Sequence, residues 1–292
     1  LPRDGGGTLL EDEIELEAPM GLPFGPAFVK GELERLFRFR YRRLATDLGR
    51  HRLHAGRPRL TVAVTGASGL VGQALTHFLT TGGHTVLPLV RRRERAVGGA
   101  IHWNPRTGDM DAEALARADA VVHLAGASIA GGRWTDDRKK VIRESRVQGT
   151  DLLCRTLAAM GSDAPRVLVS GSATGYYGNR GDERLDESAG PGAGFLAEVV
   201  KVWEAATSPA ERAGIRVVRL RTGVVISPAG GALGQMLLPF KMGVGGRLGS
   251  GRQYFSWVDL DDLVAAIVHA LYEPTLHGPV NATAPNPVTN AA

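Results

Sequence analysis

Several residue types and patterns are scarce or missing in this sequence of 292 residues. Cys154 is its one cysteine, which excludes an internal disulfide and any metal site that needs several thiolates. The leucines around it, Leu152, Leu153 and Leu157, indicate a small buried helix residue and not a reactive thiol. No set of histidine, cysteine and carboxylate residues has metal-ligand spacing, so we expect no metal.

The sequence also lacks a membrane or export signal. No unbroken apolar run approaches the ~18 residues of a membrane span, and no signal peptide opens the chain. We therefore expect a cytoplasmic protein without a membrane partner. The first residue is leucine, so we also expect the native start to be missing.

The charge gives little support for a nucleic-acid partner. Thirty-five Lys and Arg residues against 30 Asp and Glu residues leave a formal charge of +5, and arginines cluster in residues 35–59 and 91–95. A nucleic-acid surface needs basic residues on one face, preferably with interleaved aromatic residues. We interpret the first cluster as the solvated face of a helix and the second as the site of a smaller target.

Glycine, by contrast, is abundant. Its 39 residues are about twice the usual share of ~7%. The fold is therefore expected to need many tight turns or close backbone approaches.

Residues 1–57 differ in pattern from the rest. Ile14 and Leu16 alternate with acidic residues, which is the period of a half-exposed strand. Apolar residues then recur at three- and four-residue spacing and predict an amphipathic helix that ends at Gly49. One strand and one helix cannot bury a core alone, so we expect the last two elements of a domain whose beginning is absent, followed by a linker. The pair resembles the end of a START-like (polyketide-cyclase-like) ligand-binding domain.

From residue 60 onward, strands and helices alternate. The β-rich runs are LTVAVTG, HTVLPLVR, ADAVVHLAG, PRVLVSGSA and IRVVRLRTGVV. Unbroken apolar strands separated by helices indicate a parallel sheet covered on both faces, so the predicted fold class is doubly wound α/β. We assign residues 58–225 to this domain. Residues 226–292 are interpreted as a smaller substrate region interleaved with its last elements, with the C-terminal part expected to be absent.

The segment VTGASGLVG sets Gly66, Gly69 and Gly72 between the first strand and the following helix. This context favours a dinucleotide-binding turn over a purely structural one. We expect Gly66 to permit the turn, Gly69 to let the backbone approach a pyrophosphate, and Gly72 to allow close helix packing. The helix start would offer free N–H groups to the phosphates. The other turn residues predicted to contact the cofactor are Ala67, Ser68, Leu70 and Val71.

The end of the second strand indicates which cofactor binds. An NAD site has Asp or Glu there for the ribose hydroxyls, and an NADP site has arginine for the 2′-phosphate. Here Arg91, Arg92 and Arg93 follow Val90, and the first acidic residue is Glu94. A guanidinium suits a phosphate, so the sequence predicts NADP(H), with Arg91 or Arg92 as the discriminating residue. The alternative is an exposed basic loop.

Four motifs in order, TGASGLVG, HLAGAS, SRVQGTDLL and SGSATGYYG, resemble the extended short-chain dehydrogenase/reductases of the epimerase/dehydratase group. The segments GGRWTDDRKKVIRESRVQGT, GFLAEVVKVWE, RTGVVISPAGGALGQMLLPF and GRLGSGRQYFSWVDLDDL narrow the resemblance to its atypical SDR39U1-like members. It covers residues 60–292. It implies cofactor contacts from the residues after two later strands and from one helix, which are Leu124, Ala125, Gly126, Ser170 and Arg146.

The resemblance also implies a catalytic serine, tyrosine and lysine. Ser172 matches the serine, with Thr174 as an alternative. The tyrosine and lysine positions hold Phe195 and Val199, or Leu196 and Val200. Neither pair can move a proton, so the usual Tyr-x-x-x-Lys pair is missing.

Three sets of residues are candidates to replace that pair. Tyr176 or Tyr177 could face the nicotinamide, or could belong to a structural loop. Glu198 could serve as acid or base, or could form the polar edge of its helix, and Lys201 is expected to face solvent. Arg146 stands where the family has asparagine, and could bind an anionic substrate, bind the cofactor phosphates, or form a salt bridge inside the fold.

The remaining assignments concern the substrate region and two neighbouring features. The residues predicted to line the substrate cleft are Arg221, Gln253, Ser256 and Trp257. Asp259, Asp261 and Asp262 are spaced for the N-cap and first turn of a helix. His123 is expected only to pack at a strand end.

The combined prediction is an NADP(H)-dependent oxidoreductase or epimerase-like enzyme that acts on an unknown small molecule; a homodimer is possible. One alternative is an NADPH-binding sensor without turnover. Another is a carrier that takes an apolar ligand from the upstream domain.

Overall fold

The computed structural model describes residues 9–15, 25–129, 132–247 and 249–291. The chain forms two compact units, Leu1–Ala55 and Gly56–Ala292. Within the described residues, no helix is long and apolar enough to cross a membrane.

The first unit contains one long helix. Helix α1 spans Gly25–Arg52, three residues beyond the predicted end at Gly49. Residues 9–15 form no strand, so the strand prediction is wrong for this segment; Leu16 lies outside the described residues. The Asp12 carboxylate accepts hydrogen bonds from Arg40 Nη1 and Tyr41 Oη, both at 2.9 Å. Side-chain contacts with α1, and not a strand ladder, therefore hold this acidic segment.

The second unit is built on an eight-stranded sheet with the order β11-β7-β6-β5-β1-β2-β3-β4. The sheet strands are β1 Thr61–Thr65, β2 Thr85–Val90, β3 Ile101–Asn104, β4 Asp109–Met110, β5 Ala120–His123, β6 Val167–Ala173, β7 Arg216–Thr222 and β11 Gly278–Ala282. All pairs are parallel except β3 with β4. The central order matches that of doubly wound dinucleotide-binding sheets, which confirms the predicted fold class.

Helices cover both faces of this sheet. They are α2 Leu70–Thr81, α3 Ala112–Leu115, α4 Asp136–Ala159, α5 Phe195–Ala205, α6 Ser208–Arg212, α7 Gly231–Lys241 and α8 Leu260–Tyr272. One core packs Leu75 of α2 and Ile267 of α8 against the sheet. The second core packs Leu153 of α4 and Ala210 of α6 against the other face. Burial of apolar strands between two helical layers explains why these strands read as unbroken apolar runs.

The structure corrects the prediction of one strand over residues 215–225. That segment is broken at Gly223 into β7 and β8, Val224–Ser227. A Cβ at Gly223 would lie 2.7 Å from the Ser256 carbonyl oxygen, so only glycine fits where the chain leaves the main sheet. Strand β8 pairs with β10, Trp257–Asp259, and β9, Tyr254–Phe255, pairs with β12, Val288–Thr289. These short strands lie in the predicted substrate region.

The order of the main sheet determines where a ligand can bind. Strand β1 lies between β2 and β5, and the connections leave β1 toward opposite sides of the sheet. In such folds the crevice at the carboxyl ends of these central strands is the ligand site.

Candidate functional site

The glycine turn has the geometry that its sequence predicts. Gly66 has φ +70°, a conformation that favours glycine. A Cβ at Gly72 would lie 2.1 Å from the Gly66 carbonyl oxygen, so α2 packs against the turn only because residue 72 has no side chain. A Cβ at Gly69 would meet only the Gly66 oxygen, at 3.2 Å. Gly66 and Gly72 are therefore needed by the fold, whereas the exposed face of Gly69 leaves the start of α2 open.

The open start of α2 fits the pyrophosphate of a dinucleotide. Gly69 is the N-cap of α2, and within the described part of the chain no side chain caps the helix. The first N–H groups of a helix have no partner inside it and carry its positive dipole end. Ser68 and Gly69 are exposed, while Ala67, Leu70 and Val71 are half-buried.

A buried hydrogen-bond network joins the ends of β1 and β5. Thr65 Oγ1 accepts from the backbone N–H groups of Leu124, at 3.0 Å, and Ala125, at 3.1 Å. It lies 2.8 Å from His123 Nδ1, and His123 Nε2 lies 3.0 Å from Thr150 Oγ1. These hydrogen bonds hold the segment Leu124–Ala125–Gly126 beside the glycine turn. The approach is close, because a Cβ on Gly66 would lie 2.9 Å from the Leu124 carbonyl carbon.

The protonation state of His123 follows from its partners. Thr150 Oγ1 donates its one hydrogen to the Arg146 carbonyl and accepts a hydrogen bond from Trp203 Nε1. Because that hydrogen is already used, Thr150 Oγ1 can only accept the hydrogen bond that joins it to His123 Nε2. His123 is therefore neutral with the proton on Nε2. Burial lowers the pKa of His123 to about 4. The imidazole does more than pack, because it links two hydroxyl groups.

An arginine-lined cavity of about 680 Å³ lies at the end of β2. Its lining residues are Arg91, Arg92, Arg93, Glu94, His102, Asn104, Thr107 and Asp109. Arg93 donates to Asp109 at 2.8 Å, whereas Arg91 and Arg92 are exposed and have no recorded partner among the described residues. The acidic residues Glu94 and Asp109 also line the cavity, and Arg93 neutralises the charge of Asp109. Arg91 and Arg92 therefore remain the cationic groups open to a ligand.

Ser172 lies in a buried polar cluster, which we define as Ser172, Glu204, Arg221, Tyr177 and Asn281. The Ser172 hydroxyl donates to Glu204 Oε1 at 2.5 Å. Arg221 holds the same carboxylate with two hydrogen bonds, both at 2.9 Å. The strand register explains this, because Ser172 of β6 and Asn281 of β11 are both partners of Arg221 in β7.

The cluster changes the roles predicted for Ser172 and Arg221. The one hydrogen of the Ser172 hydroxyl goes to Glu204, so in this state it does not face a substrate carbonyl. Arg221 is 3% exposed, and its guanidinium also donates to Tyr177 Oη at 3.0 Å. Bonding to Glu204 and Tyr177 raises the pKa of Arg221 even though burial acts to lower it. Arg221 therefore binds protein groups and not a substrate in the structure.

The two tyrosines differ. Tyr177 is buried, and its hydroxyl donates to Asn281 Oδ1 at 2.7 Å. Tyr176 is half-buried, and the Arg221 guanidinium carbon lies 3.6 Å from its ring centroid. Among the described residues, no hydrogen bond is recorded for the Tyr176 hydroxyl. Tyr176 is thus the tyrosine whose oxygen is open to a ligand.

Helix α5 buries the residues at the lysine position and half-buries Phe195 and Leu196 at the tyrosine position. Val199 and Val200 are buried, whereas Glu198 and Lys201 are exposed. A period of 3.6 residues turns Glu198 away from the buried face, so the structure does not bring it to Ser172. Glu204 is the carboxylate at that serine, and the sequence prediction missed it.

Arg146 and the other cofactor residues lie around the segment after β5. Arg146 is 9% exposed, donates to the Ala127 carbonyl at 3.0 Å, and has no ion pair with a carboxylate among the described residues. Ser170 is buried, and its hydroxyl donates to the Gly171 carbonyl. It is therefore held inside β6 and not open to a cofactor.

The predicted substrate residues from the last segment lie on the small strands. Gln253 is exposed, and its carbonyl accepts from Asn290 N at 3.0 Å. The Ser256 carbonyl accepts from Val224 N at 2.7 Å, and Trp257 Nε1 donates to the Asn286 carbonyl at 3.2 Å. Asp259 caps α8 by accepting from Asp261 N, which confirms the predicted helix start. The Ser256 carbonyl oxygen also lies against Gly223, two residues after Arg221.

Comparison with known proteins places this geometry in a family. The model of the NAD dependent epimerase/dehydratase family matches residues 62–281. An epimerase family protein of Mycobacterium bovis is 50% identical over 230 residues, which are 79% of this chain and 75% of the relative. The human epimerase family protein SDR39U1 is 37% identical over 236 residues, 80% of this chain and 77% of the relative.

Two solved structures agree with these matches. A nucleoside-diphosphate sugar epimerase of Corynebacterium glutamicum has a TM-score of 0.77 and 42% identity, over 87% of this chain and 54% of that chain. The present chain thus spans about half of that protein. Human SDR39U1 (isoform 2), solved with NADPH, has a TM-score of 0.69 and 33% identity, over 79% of this chain and 76% of that chain. The chain therefore belongs to the NAD-dependent epimerase/dehydratase family and is homologous to the SDR39U1 proteins within it.

Proposed function

We propose that this protein is an NADP(H)-dependent oxidoreductase or epimerase-like enzyme that acts on a small molecule. The main support for NADP(H) is the cavity at the end of β2, where Arg91 and Arg92 are exposed and have no partner among the residues that the structure describes. A 2′-phosphate is a dianion that guanidinium groups bind through charge-assisted hydrogen bonds. The NADPH in the structure of human SDR39U1, 33% identical to this chain, supports the same choice.

The glycine turn supports the rest of the cofactor site. The exposed Gly69 and the start of α2 suit the pyrophosphate, since the first N–H groups of a helix have no partner within it; the Gly69 N–H itself donates to the Gly66 carbonyl at 2.9 Å. A nicotinamide held in such a fold supplies or accepts a hydride. The residues of this chain must then bind the substrate, orient its reacting oxygen and exchange one proton with that oxygen.

Tyr176 is the residue we assign to that proton. In the reducing direction the substrate oxygen gains one proton, and the Tyr176 hydroxyl is the open donor beside the buried polar cluster. The Arg221 guanidinium, 3.6 Å from the ring centroid, keeps positive charge next to the ring when the proton leaves. Ser172 presents oxygen lone pairs, because its hydrogen is donated to Glu204. We therefore assign Ser172 to accept a hydrogen bond from a substrate hydroxyl.

The alternative is a protein that binds NADPH and regulates a partner without turnover. The replacement of the tyrosine and lysine pair by Phe195 and Val199, or Leu196 and Val200, supports this alternative. The two candidates differ in one observable. An enzyme transfers deuterium from 4-deuterated NADPH to a metabolite, and Tyr176→Phe stops the transfer, whereas a sensor binds NADPH without consuming it.

The cofactor assignment is tested by paired fluorescence titrations with NADPH and NADH. Arg91→Ala and Arg92→Ala are compared with Arg95→Ala, an exposed arginine that does not line the cavity. Hydrogen bonds to charged groups contribute about 1.5–3 kcal/mol, so at least one of the first two variants should bind NADPH about 10- to 100-fold more weakly. NADH affinity should stay unchanged in all three. Equal or tighter binding of NADH by the unaltered chain would contradict the assignment.

A further inference from the structure

Arg138 and Arg146, in the first half of α4, donate to backbone carbonyls and have no carboxylate partner among the described residues. Arg146 uses Nη1 to donate to the carbonyls of Ala127, at 3.0 Å, and Ile142, at 3.1 Å. Arg138 donates from Nη2 to the Ser128 carbonyl. Its Nε is buried and has no hydrogen-bond partner in the part of the chain that the structure describes. Arg146 Nε and Nη2 likewise have no recorded partner there.

Two other arginines, the buried Arg221 and the half-buried Arg216, are paired differently. Arg221 is neutralised by Glu204 through two hydrogen bonds. Arg216 donates from both terminal nitrogens to three carbonyls at and beyond the end of α8, where the helix dipole is negative. Arg146 has no carboxylate partner among the described residues; its guanidinium carbon lies 5.2 Å from the Trp203 ring centroid, and the residue is 9% exposed.

The surroundings of Arg146 disfavour its positive charge. Burial, and then the positive charge of Arg138, lower the pKa of Arg146. Two like charges close enough to repel, one of them largely buried, destabilise the fold unless an anion is bound between or beside them. Folded proteins rarely bury a charge without a partner.

These arginines lie between the nucleotide turn and α5. Besides the Ile142 carbonyl of their own helix, they bind the carbonyls of Ala127 and Ser128, which continue the segment that packs on Gly66. A Cβ at Gly126 would lie 3.3 Å from the Arg146 guanidinium carbon. On the side of α5, Lys139 Nζ lies 6.0 Å from the ring centroid of Phe195, the first residue of that helix. The Trp134 and Phe195 ring centroids are 5.7 Å apart. The carboxylate near Lys139 is Asp136, at 3.5 Å.

The anionic groups of the cofactor have other partners in the proposed function. The pyrophosphate is assigned to the start of α2 and the 2′-phosphate to Arg91 and Arg92. An anion at Arg138 and Arg146 must therefore come from a different molecule.

We propose that Arg138 and Arg146 bind an anionic group of the substrate, a carboxylate or a phosphate, so that the substrate is an acidic carbonyl or hydroxyl compound. The planar fork of a guanidinium matches both groups with paired hydrogen bonds. This inference rests on the proposed NADP(H)-dependent function, because it uses the cofactor to account for the other anion sites.

The experiment uses the full chain saturated with NADPH, so that the cofactor sites are filled. Inorganic phosphate and, separately, acetate are titrated at constant ionic strength and followed by the NADPH fluorescence and by calorimetry. At least one of the two is expected to bind with a dissociation constant in the millimolar range. Arg146→Gln should weaken that binding about tenfold or more, and so should Arg138→Gln. The second variant keeps the hydrogen bond from Arg146 to the Ala127 carbonyl, so it tests the proposal even if Arg146→Gln does not fold. The preferred anion identifies the group on the substrate.

Arg143→Gln is the matched control, because Arg143 is exposed on the same helix and its removal changes the net charge equally. No binding of either anion by the unaltered complex would overturn the proposal, and so would equal weakening in the Arg143 variant. Tenfold weaker NADPH binding in Arg146→Gln, with anion binding unchanged, would assign the arginines to the cofactor and overturn it too. If the unaltered chain bound no NADPH, the proposed function would fail. In that case, phosphate binding to the nucleotide-free chain that is lost in Arg146→Gln would still support the anion site.

Discussion

The glycine turn permits a prediction in which stability and cofactor binding change separately. In Gly72→Ala the new Cβ would lie 2.1 Å from the Gly66 carbonyl oxygen and 2.7 Å from Ala67 Cα. Both are backbone atoms, so no side-chain rotation relieves the overlap. Overpacking costs about 1–3 kcal/mol, and this backbone contact belongs at the upper end. Alanine recovers up to about 1 kcal/mol of helix propensity over glycine, so the free energy of unfolding should fall by about 2 kcal/mol.

Gly69→Ala should behave in the opposite way. Gly69 has φ −80° and ψ 171°, which alanine adopts without strain, and its Cβ would lie 3.2 Å from a single oxygen. Loss of a favoured N-cap residue costs about 0.5–1 kcal/mol, and the smaller entropy of the unfolded chain returns about 0.4–1 kcal/mol. The free energy of unfolding should therefore stay within about 1 kcal/mol of the original. The methyl group would stand where the pyrophosphate approaches, so NADPH should bind at least about tenfold more weakly.

Urea unfolding measures the first effect and NADPH fluorescence titration the second. Gly190→Ala is the control, because Gly190 is exposed and nothing lies within 4 Å of its added Cβ. Unchanged NADPH affinity in Gly69→Ala would refute the assignment of the pyrophosphate to this turn. Unchanged stability in Gly72→Ala would refute the steric interpretation of the turn.

Three further predictions concern buried groups. Glu204→Gln leaves Arg221 without its counter-charge, and removal of one partner of a buried pair costs about 3–5 kcal/mol; a loss below 1 kcal/mol in urea unfolding would contradict the pairing. Because burial lowers the pKa of His123 from 6.5 to about 4, the unfolded chain binds the extra proton first as the pH falls. The stability that the neutral imidazole contributes is fully present above pH 6.5 and is lost between pH 6.5 and 4, a total of about 3 kcal/mol. Measured at pH 7, 5.5 and 4.5, the free energy of unfolding should therefore decline less steeply with falling pH in His123→Asn. Burial raises the pKa of the Cys154 thiol to about 12, so an aromatic disulfide reagent at pH 8 should react only after urea unfolds the chain, and rapid reaction of the native protein would contradict this burial.

The doubly wound fold was predictable because its signals are local. Each buried strand is an unbroken apolar run, and Gly66 and Gly72 occupy positions where a side chain would collide with the backbone. Strand β11 was missed because its residues are only half-buried up to Ala282, at the edge of the sheet. The break at Gly223 was missed because its cause, the Ser256 carbonyl, comes from a segment 33 positions further along the chain.

The buried polar cluster was not predictable from motifs, because it depends on the register of three strands. Ser172, Arg221 and Asn281 become neighbours only when β6, β7 and β11 pair as they do. A motif search looks for a serine followed by a tyrosine and a lysine on the next helix, so it led to Phe195 and Glu198 at the start of α5. The residue that bonds Ser172 lies in the last turn of that helix.

A signal for Glu204 was nevertheless present in the helix itself. Successive residues turn by about 100° around a helix, which places Glu204 on the same face as the buried Ala197 and Val200. An acidic side chain on an apolar face needs a partner, since an unpaired buried charge is strongly unfavourable. The partner had to come from the sheet against which that face packs, and Arg221 is the basic residue whose register brings it there. Glu204 lies nine residues after Phe195, about 13 Å along the helix axis, so the carboxylate that contacts the sheet is at the opposite end of α5 from the tyrosine position. Proton exchange at this site would therefore use the groups around Arg221, and the loss of the tyrosine and lysine does not by itself exclude catalysis.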